Sequence, residues 1–232
     1  MAKEVDTLII SDVHLGSEVC EAEKLLKTLK SYEFKRLILL GDIFDNLNFK
    51  KLSKPQWELL SHINILAEMP GVELIWINGN HDRGITNVMP NIIKSDIRDE
   101  YIWWWNGRRC LAIHGDQFDD FLKKHRFVSD LATVVYQKLQ KLDPKNQRIP
   151  RLLKKYTKIY LRESKLVAEG AVNARKKAVD VVFCGHTHNA MHKFFKKYLI
   201  DYYNTGCWTE ATPTYITIDK YGVLIHSHSH EE

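Results

Sequence analysis

Five short polar clusters contain the side chains with which this chain could carry out catalysis. The clusters are Asp12-Val13-His14, Gly41-Asp42-Ile43-Phe44-Asp45, Gly79-Asn80-His81-Asp82, His114-Gly115-Asp116 and Gly185-His186-Thr187-His188. Together they offer seven nitrogen and oxygen donors that suit metal ions: Asp12, His14, Asp42, Asn80, His114, His186 and His188. Seven donors are too many for one ion, and their mixture of carboxylate, amide and imidazole suits two divalent cations.

A pair of cations also indicates a reaction class. Two cations about 3.5 to 4 Å apart bind a phosphate, lower the pKa of a shared water and stabilise in-line displacement. The sequence therefore predicts hydrolysis of a phosphoester or a phosphoanhydride. Mn²⁺ suits the mixed donor set best, and Fe and Zn²⁺ are chemically compatible alternatives. Structural zinc sites prefer thiolates, but the four cysteines lie far apart without a CxxC pair, which predicts reduced, buried thiols.

Each cluster alone allows a second interpretation. Asp12 and His14 stand two residues apart, so on an extended backbone both can face one metal, although a helix cap followed by a surface histidine has the same spacing. The Asn80-His81 pair would also fit a turn. Asp42 could bridge two cations, whereas Asp45 lies farther along and is expected to orient a histidine. Chance does not readily explain five such clusters at equivalent positions.

The equivalent positions are the ends of predicted strands. The clusters follow the apolar runs TLII, LILL, LIWI, CLAI and VVFC, which are typical of buried strands in an α/β protein. Apolar spacings of three and four predict helices over 21–30 and 55–69, so the chain begins βαβαβ. Because ligands bind beyond the carboxyl ends of strands in open α/β sheets, all five clusters are expected at one rim.

The region between the fourth and fifth clusters has a different pattern. From Asp116 to Glu169 there is no glycine, and apolar residues from Phe118 to Leu142 keep a helical spacing. A second helical stretch is predicted over 151–177. We therefore predict a helical insertion, a lid over residues 117–178, within a single domain that spans residues 1–232. Aromatic and β-branched runs after residue 190 predict closing antiparallel strands.

Charge and composition restrict the partners. The net charge is +5, but residues 121–180 carry 16 Lys and Arg against 5 Asp and Glu, a local excess of +11. Such a segment predicts an anionic partner, or a solvated helical face. No apolar run approaches the roughly 20 residues that cross a bilayer, and the first ten residues lack the apolar core of a signal peptide. These features predict a cytoplasmic protein.

The order of the clusters, D-x-H, G-D-x-x-D, G-N-H-D, H-G-D and G-H-T-H, resembles the calcineurin-like metallophosphoesterase superfamily. The resemblance implies an α/β fold, a four-layer αββα sandwich of two mixed β-sheets flanked by helices. It implies that one metal is held by Asp12, His14, Asp42 and His188, and the other by Asp42, Asn80, His114 and His186. Asp42 would bridge the two. The resemblance places His81, beside Asn80, at the transition state or the leaving oxygen, with Asp45 orienting it.

Within the superfamily the chain looks like the UDP-2,3-diacylglucosamine pyrophosphatase group of lipid A biosynthesis. The matching segments are SDVHLGS at 11–17, GRRCLAIHGDQFDD at 107–120 and YNTGCWTEATPTYITI at 203–218. One branch of that group carries arginine where this chain has His81, so the resemblance is to the histidine-bearing branch. It implies a nucleotide-diphospho-lipid substrate, release of UMP and lipid phosphate, and peripheral contact with the cytoplasmic face of the inner membrane.

Two other functions are compatible with parts of the sequence. A nuclease or cyclic-nucleotide phosphodiesterase would use the basic segment to follow a phosphate backbone. Its aromatic residues, however, have the helical spacing of a core and are not interleaved with the bases as stacking platforms would be, so nucleic acid is the less favoured partner. A non-catalytic scaffold would have no need for seven clustered ligands that destabilise the metal-free protein.

Two further patterns have simple structural interpretations. The run Trp103-Trp104-Trp105 could anchor at a membrane interface, but a strand that packs its rings into the core is the favoured interpretation. Alternating His226, His228 and His230 could bind stray metal, but a last strand that runs out into a tail is favoured.

Overall fold

The computed structural model describes residues 2–46, 48–84, 93, 95–118, 158–176 and 178–228. The first sheet has the strand order β11-β10-β1-β2-β3-β4. Its strands are β1 Lys3–Ile10, β2 Tyr32–Leu40, β3 Glu73–Ile77, β4 Asp96–Arg98, β10 Thr214–Ile218 and β11 Val223–Ser227. Strands β1 to β4 are parallel, whereas β10 is antiparallel to both β1 and β11, so the sheet is mixed.

The second sheet has the order β5-β6-β7-β9-β8. Its strands are β5 Glu100–Trp105, β6 Arg108–Ile113, β7 Val181–Cys184, β8 Met191–Phe195 and β9 Ile200–Asn204. Strand β7 is parallel to β6 and β9, and the outer pairs are antiparallel. The predicted C-terminal strands are present, but they complete both sheets as two hairpins and do not form one antiparallel set.

The helices lie outside the two sheets. Helix α1 Ala22–Lys30 and helix α2 Lys54–Glu68 cover the first sheet, and helix α3 Lys158–Arg175 covers the second. Ser53 and Gln56 form a capping box at the start of α2, which fixes where that helix begins. A third apolar cluster fills the space between the sheets, where Ile38 and Leu40 pack with Phe183 and Trp103. The predicted αββα sandwich of two mixed sheets is confirmed.

The described part of the insertion is its two ends. A short 3-10 helix, Asp116–Phe118, begins at the last residue of the fourth cluster, and α3 precedes β7 at the other end. Val167, Ala171 and Val172 of α3 are buried against the second sheet, so this helix contributes to the core. Residues 119–157, which include the first predicted helix of the insertion, lie outside the described residues, and the lid stays a prediction.

The tryptophan run lies in β5, and the first of the alternating C-terminal histidines lies in β11. In β5, Trp103 is buried and stacks on Phe183, whereas Trp104 is exposed. In β11, His226 stacks on Tyr215 and hydrogen-bonds Thr217; His230 lies outside the described residues. Among the helices described, none has the length and apolar character needed to cross a bilayer.

Candidate metal centre

The five polar clusters meet at the junction of the two sheets. Backbone hydrogen bonds link them in series: the Asp12 N–H donates to Gly41 O at 3.0 Å and the Gly185 N–H to His114 O at 3.1 Å. The two sheets are then joined at the site itself, where the His186 N–H donates to Asp12 Oδ2 at 3.0 Å. Residues separated by about 175 positions are thereby held at one rim.

Side chains at this junction form three groups that could each hold a metal ion. The groups are Asp12, His14 and His188; Asp42, His114 and His186; and His14, Asp45 and His81. Within each group the candidate ligand atoms all lie within 4.8 Å of one another. The first two groups contain six of the seven predicted ligands and divide them as the superfamily resemblance implies. The exception is Asp42, which the resemblance assigns to both metals and which here belongs to one group.

The orientation of these atoms suits a metal better than it suits hydrogen bonding. Asp12 Oδ1 lies 3.1 Å from His188 Nε2, and Asp42 Oδ2 lies 3.4 Å from His114 Nε2. Nevertheless Asp12 Oδ1 and His114 Nε2 are buried without a hydrogen-bond partner among the described residues. Buried polar atoms normally have a partner, so atoms that are close but misaligned indicate donors arranged around a common ion.

The tautomer of His114 is also fixed for metal binding. Its Nδ1 lies 2.9 Å from the carbonyl oxygen of Leu40, which can only accept a hydrogen bond. Nδ1 must therefore carry a proton, and in the neutral ring Nε2 has its lone pair on the side of Asp42. Metal-binding histidines are commonly oriented in this way by a carbonyl or a carboxylate on the other ring nitrogen.

The backbone at the ligands adopts a conformation that side chains rarely tolerate. Seven described residues other than glycine have positive φ, and five of them are predicted ligands: Asp12, His14, Asp42, His186 and His188, with φ between 51° and 66°. Each such residue costs about 1 to 3 kcal/mol unless its surroundings impose the conformation. Strain concentrated at these five positions marks the rim as the functional site.

Two glycines make room for the two carboxylates. A Cβ atom at Gly185 would lie 2.5 Å from Asp12 Oδ2, and one at Gly79 would overlap Asp42 Oδ1. Neither clash could be relieved by a flexible chain end, since both carboxylates are buried. Glycine is thus required at both positions by close approach to the site.

Each carboxylate is held by different partners. Asp12 Oδ2 accepts a hydrogen bond from Ser11 Oγ at 2.5 Å, and Ser11 in turn contacts Thr205 from the second sheet. Asp42 Oδ1 accepts the backbone N–H of His81 at 2.9 Å. Ser11 and Thr205 were not among the predicted site residues, although both lie in segments that carry the family resemblance.

Asp82 is a third residue that sequence reasoning missed. Its buried carboxylate accepts the N–H groups of Phe44 at 3.1 Å and of Ile43 and Gly79 at 3.3 Å. It therefore ties the turn that holds Asp42 to the turn that holds His81. Burial, and then the charge of Asp42, raises the pKa of Asp82 to about 6. A carboxylate at the end of the G-N-H-D cluster was the available signal.

Burial and neighbouring charges raise the pKa of two imidazoles at the site and lower the pKa of a third. Burial opposes protonation of His114, but the Asp42 carboxylate outweighs it and raises the pKa of His114 to about 10. Burial likewise opposes protonation of His188, but the neighbouring Cys207 and Asp12 side chains raise its pKa to about 10. For His14, burial dominates and lowers the pKa to about 4. His14 is thus neutral at pH 7, whereas His114 and His188 must lose a proton to bind a metal.

His81 and Asp45 are in contact, but by a different route from the one predicted. His81 Nδ1 donates to the main-chain carbonyl of Asp45 at 2.8 Å. The Asp45 carboxylate instead lies 3.8 Å from His14 Nδ1. The prediction that this carboxylate orients His81 is therefore corrected: a carbonyl oxygen fixes the His81 ring, and the carboxylate faces a predicted metal ligand.

Asn80, the seventh predicted ligand, would contribute an amide oxygen. It lies in the turn between Gly79 and His81, both of which touch Asp42, and its side chain is exposed. Its role as a ligand stays a prediction.

Comparisons with known proteins agree with this geometry. The model of the Calcineurin-like phosphoesterase family matches residues 6–190. Vps29 of Chaetomium thermophilum has a similar structure, with a TM-score of 0.51 and 13% identity over 97% of this chain and 90% of that one. YfcE, a phosphoesterase from E. coli, has a TM-score of 0.51 and 16% identity over 92% and 87%. At these identities the likeness shows the fold alone. No curated protein matches the chain in sequence.

Proposed function

Since the chain belongs to the calcineurin-like phosphoesterase family and is a metal-dependent phosphoester hydrolase, we propose that it cleaves a nucleotide-diphospho-lipid. The proposed reaction is that of the UDP-2,3-diacylglucosamine type pyrophosphatases of lipid A biosynthesis. Water breaks the phosphoanhydride bond and releases UMP and a lipid phosphate. The alternatives are a phosphodiesterase or nuclease, and a non-catalytic scaffold of the same fold.

The observation that supports a dinuclear hydrolase is the pair of carboxylate and imidazole groups at the sheet junction. Asp12, His14 and His188 would hold one divalent ion, and Asp42, His114 and His186 the other, with Asn80 and the bridging position of Asp42 completing the set. We propose Mn²⁺, with Fe or Zn²⁺ as alternatives. Such ions activate water and neutralise the charge of a phosphoryl group.

The chain's own residues position the reacting groups. Hydrogen bonds from Ser11 and the His186 N–H to Asp12, and from the His81 N–H to Asp42, prevent the carboxylates from rotating. A preorganised site of this kind stabilises the transition state without having to reorganise during the reaction. Residues that only made a scaffold would gain nothing from the backbone strain at five ligands, which argues against the non-catalytic alternative.

His81 is placed to act on the substrate. Its Nδ1 proton is held by the Asp45 carbonyl, so Nε2 is the nitrogen left to face a phosphoryl or leaving oxygen. When the ring carries a second proton, Nε2 can donate it to that oxygen as it departs. The resulting general-acid role contributes about 10² to 10⁴ in rate for a positioned side chain.

The lipid substrate is supported by the insertion. The insertion begins directly after the His114-Gly115-Asp116 cluster and ends shortly before the strand that leads to His186. Both of its ends are therefore joined to segments that carry predicted ligands. The excess of +11 over residues 121–180 would attract a diphosphate. We propose that residues 117–178 act as a lid in which the apolar stripe from Phe118 to Leu142, and not the α3 face that packs on the second sheet, accepts acyl chains. Each buried CH₂ would contribute about 0.8 kcal/mol.

A substrate panel tests the proposal. Mn²⁺-loaded protein would be offered UDP-linked lipids, cyclic nucleotides, oligonucleotides and p-nitrophenyl phosphodiesters, and kcat/KM would be compared. A preference for the UDP-lipid that is lost when residues 119–157 are replaced by a short Gly/Ser linker, with small-diester cleavage retained, is the expected result. Preference for oligonucleotides would favour the nuclease, and no turnover of any substrate would favour the scaffold.

A further inference from the structure

An arginine lies beside the predicted acid at the edge of the metal centre. Arg83 follows His81 by two residues, and its side chain is 69% exposed. Its Nη2 donates to Asp116 Oδ2 at 2.5 Å, whereas the Asp116 side chain is only 10% exposed. Because Asp116 ends the cluster that begins with His114, this ion pair connects the turns that carry His81 and His114. The guanidinium lies on the solvent side of that connection.

Stability alone gives little reason for an arginine at this position. An ion pair with one exposed partner contributes little to stability, because water screens the attraction and the long side chain loses freedom. A guanidinium, however, has five N–H donors in a planar fork that matches both carboxylate and phosphate oxygens. Arg83 can therefore share its donors between Asp116 and an arriving phosphate.

Asp116 brings a negative charge to a site that is proposed to bind an anion. Burial opposes protonation of His114, but the charges of the two buried aspartates and then of Asp116 raise its pKa, so the charge of Asp116 reaches the metal centre. In the part of the chain that the structure describes, Asp116 belongs to none of the groups that could hold an ion. Its carboxylate would repel a phosphate if Arg83 did not offset it.

The proposed substrate class needs a cation close to His81. In the hydrolysis of a diphosphate diester, the water oxygen bonds to one phosphorus and the bond from that phosphorus to the bridging oxygen breaks. The electron pair of that bond stays on the leaving phosphate, and the proton lost by the water passes to the solvent. Whichever phosphorus is attacked, the leaving group is itself an anionic phosphate. A positive charge beside the leaving oxygen therefore favours the reaction.

We propose that Arg83 binds the phosphate that leaves, and that it thereby selects diphosphates over single phosphodiesters. Two N–H groups of a guanidinium can hold two oxygens of one phosphate, which fixes the orientation of the leaving group as well as its charge. The inference rests on the proposed function, because it specifies how a diphosphate is recognised. It does not depend on the lipid, since Arg83 would contact only the diphosphate.

Inhibition by nucleotides tests the proposal without requiring turnover of a diphosphate. The Mn²⁺-loaded full chain would hydrolyse bis(p-nitrophenyl) phosphate in the presence of UDP or of UMP, at one fixed concentration of free Mn²⁺. The two nucleotides differ by one phosphoryl group, so the ratio of their inhibition constants measures how well that group is bound. UDP should inhibit the native protein about tenfold more tightly than UMP, or better.

Two variants that break the same ion pair should have different effects on this ratio. Arg83→Gln should reduce the advantage of UDP about tenfold, because it removes both the charge and the planar fork, and Arg83→Lys should retain part of it. Asp116→Asn leaves the guanidinium available to the phosphate, so the advantage should be kept or increased. The matched control is Arg108→Gln, which breaks an ion pair of 2.6 Å with Asp201 at the opposite end of β6 and should leave the ratio unchanged.

Three results would overturn the proposal. The first is equal inhibition of the native protein by UDP and UMP. The second is an Arg83→Gln variant that keeps the full advantage of UDP. The third is an equal loss in Arg83→Gln and Asp116→Asn, which would make the ion pair only a tie between two turns. Cleavage of a UDP-lipid in the substrate panel reports separately on the proposed function, so failure of one proposal can be distinguished from failure of the other.

Discussion

The two halves of the metal centre are built differently. In the Asp42 half, the His114 side chain is 1% exposed and its Nδ1 is fixed by the Leu40 carbonyl. In the Asp12 half, the His188 side chain is 26% exposed, and the hydroxyl of Ser11 links the carboxylate to Thr205 of the second sheet. Each half combines two buried ligands with one half-buried histidine, His188 or His186. The better-fixed ring of His114, and not lower exposure, therefore suggests that the Asp42 half retains its ion more firmly.

Asp42→Ala should have the largest effect, because it removes the carboxylate of the Asp42 half and, in the proposed bridging arrangement, a ligand of both ions. Metal stabilisation of the transition state is worth several kcal/mol, so kcat should fall by at least about 10⁴. Bound metal measured by plasma mass spectrometry should fall for both sites. Loss of a single ion would show that Asp42 serves one half only.

His81→Ala should lower kcat by about 10² to 10⁴, because it removes the proposed acid while leaving both metal groups in place. Metal content should stay near that of the native protein. Asp45→Asn is the matched variant: the carbonyl that orients His81 is retained, so kcat should change much less. An equally large loss in Asp45→Asn would show that its carboxylate, and not its carbonyl, is required.

Removing one histidine from each half compares them directly. His114→Ala should weaken Mn²⁺ binding at the Asp42 half, and His188→Ala should weaken it at the Asp12 half, each by at least the 10- to 100-fold, roughly, that loss of an outer-shell partner costs. Competition with a chelator would give the two affinities. In the native protein the first ion removed should be the one that His188→Ala affects; removal in the opposite order would reverse our comparison.

Asp82→Asn should have a moderate effect on stability. An amide NH₂ would face the N–H groups that now donate to the Asp82 carboxylate, and unsatisfied buried donors cost about 1 to 3 kcal/mol. Urea unfolding of the metal-loaded protein should show this loss of free energy. Unchanged stability would mean that Asp82 does not hold the Asp42 and His81 turns together.

The smallest effect expected is a pH dependence. The raised pKa of His114, about 10 against an ordinary 6.5, stabilises the metal-free protein fully below pH 6.5 and is lost as pH rises toward 10. Metal binding must displace that proton and the one on His188, so Mn²⁺ affinity should increase with pH over the same range. Calorimetry at pH 7.5 in two buffers should detect about one proton released per ion; none released would contradict these shifts.

The strands and the ligand clusters could be predicted from the sequence because short apolar runs bounded by polar residues are typical of buried strands, and because the clusters follow these runs directly. The sequence could not show that β1 and β7 belong to different sheets, since nothing local to TLII or VVFC encodes which strands pair. The second sheet is instead completed by contacts between distant residues, such as Trp103 with Phe183.

Within the site, residue type predicted the donors but not their orientation. The family resemblance implied that Asp45 lies close to His81, yet the choice between its carbonyl and its carboxylate depends on the course of the turn. The left-handed backbone at Asp12 and Asp42 was equally unpredictable, because no residue-specific preference for it exists at aspartate comparable with that of glycine.

We expect each carboxylate and imidazole group at the sheet junction to hold one ion. Anomalous diffraction from crystals of the Mn²⁺-loaded protein measures this directly. We predict two peaks, one between Asp12, His14 and His188 and one between Asp42, His114 and His186. A single peak, or a peak in the group of His14, Asp45 and His81 in place of either, would show that these two groups do not each hold an ion.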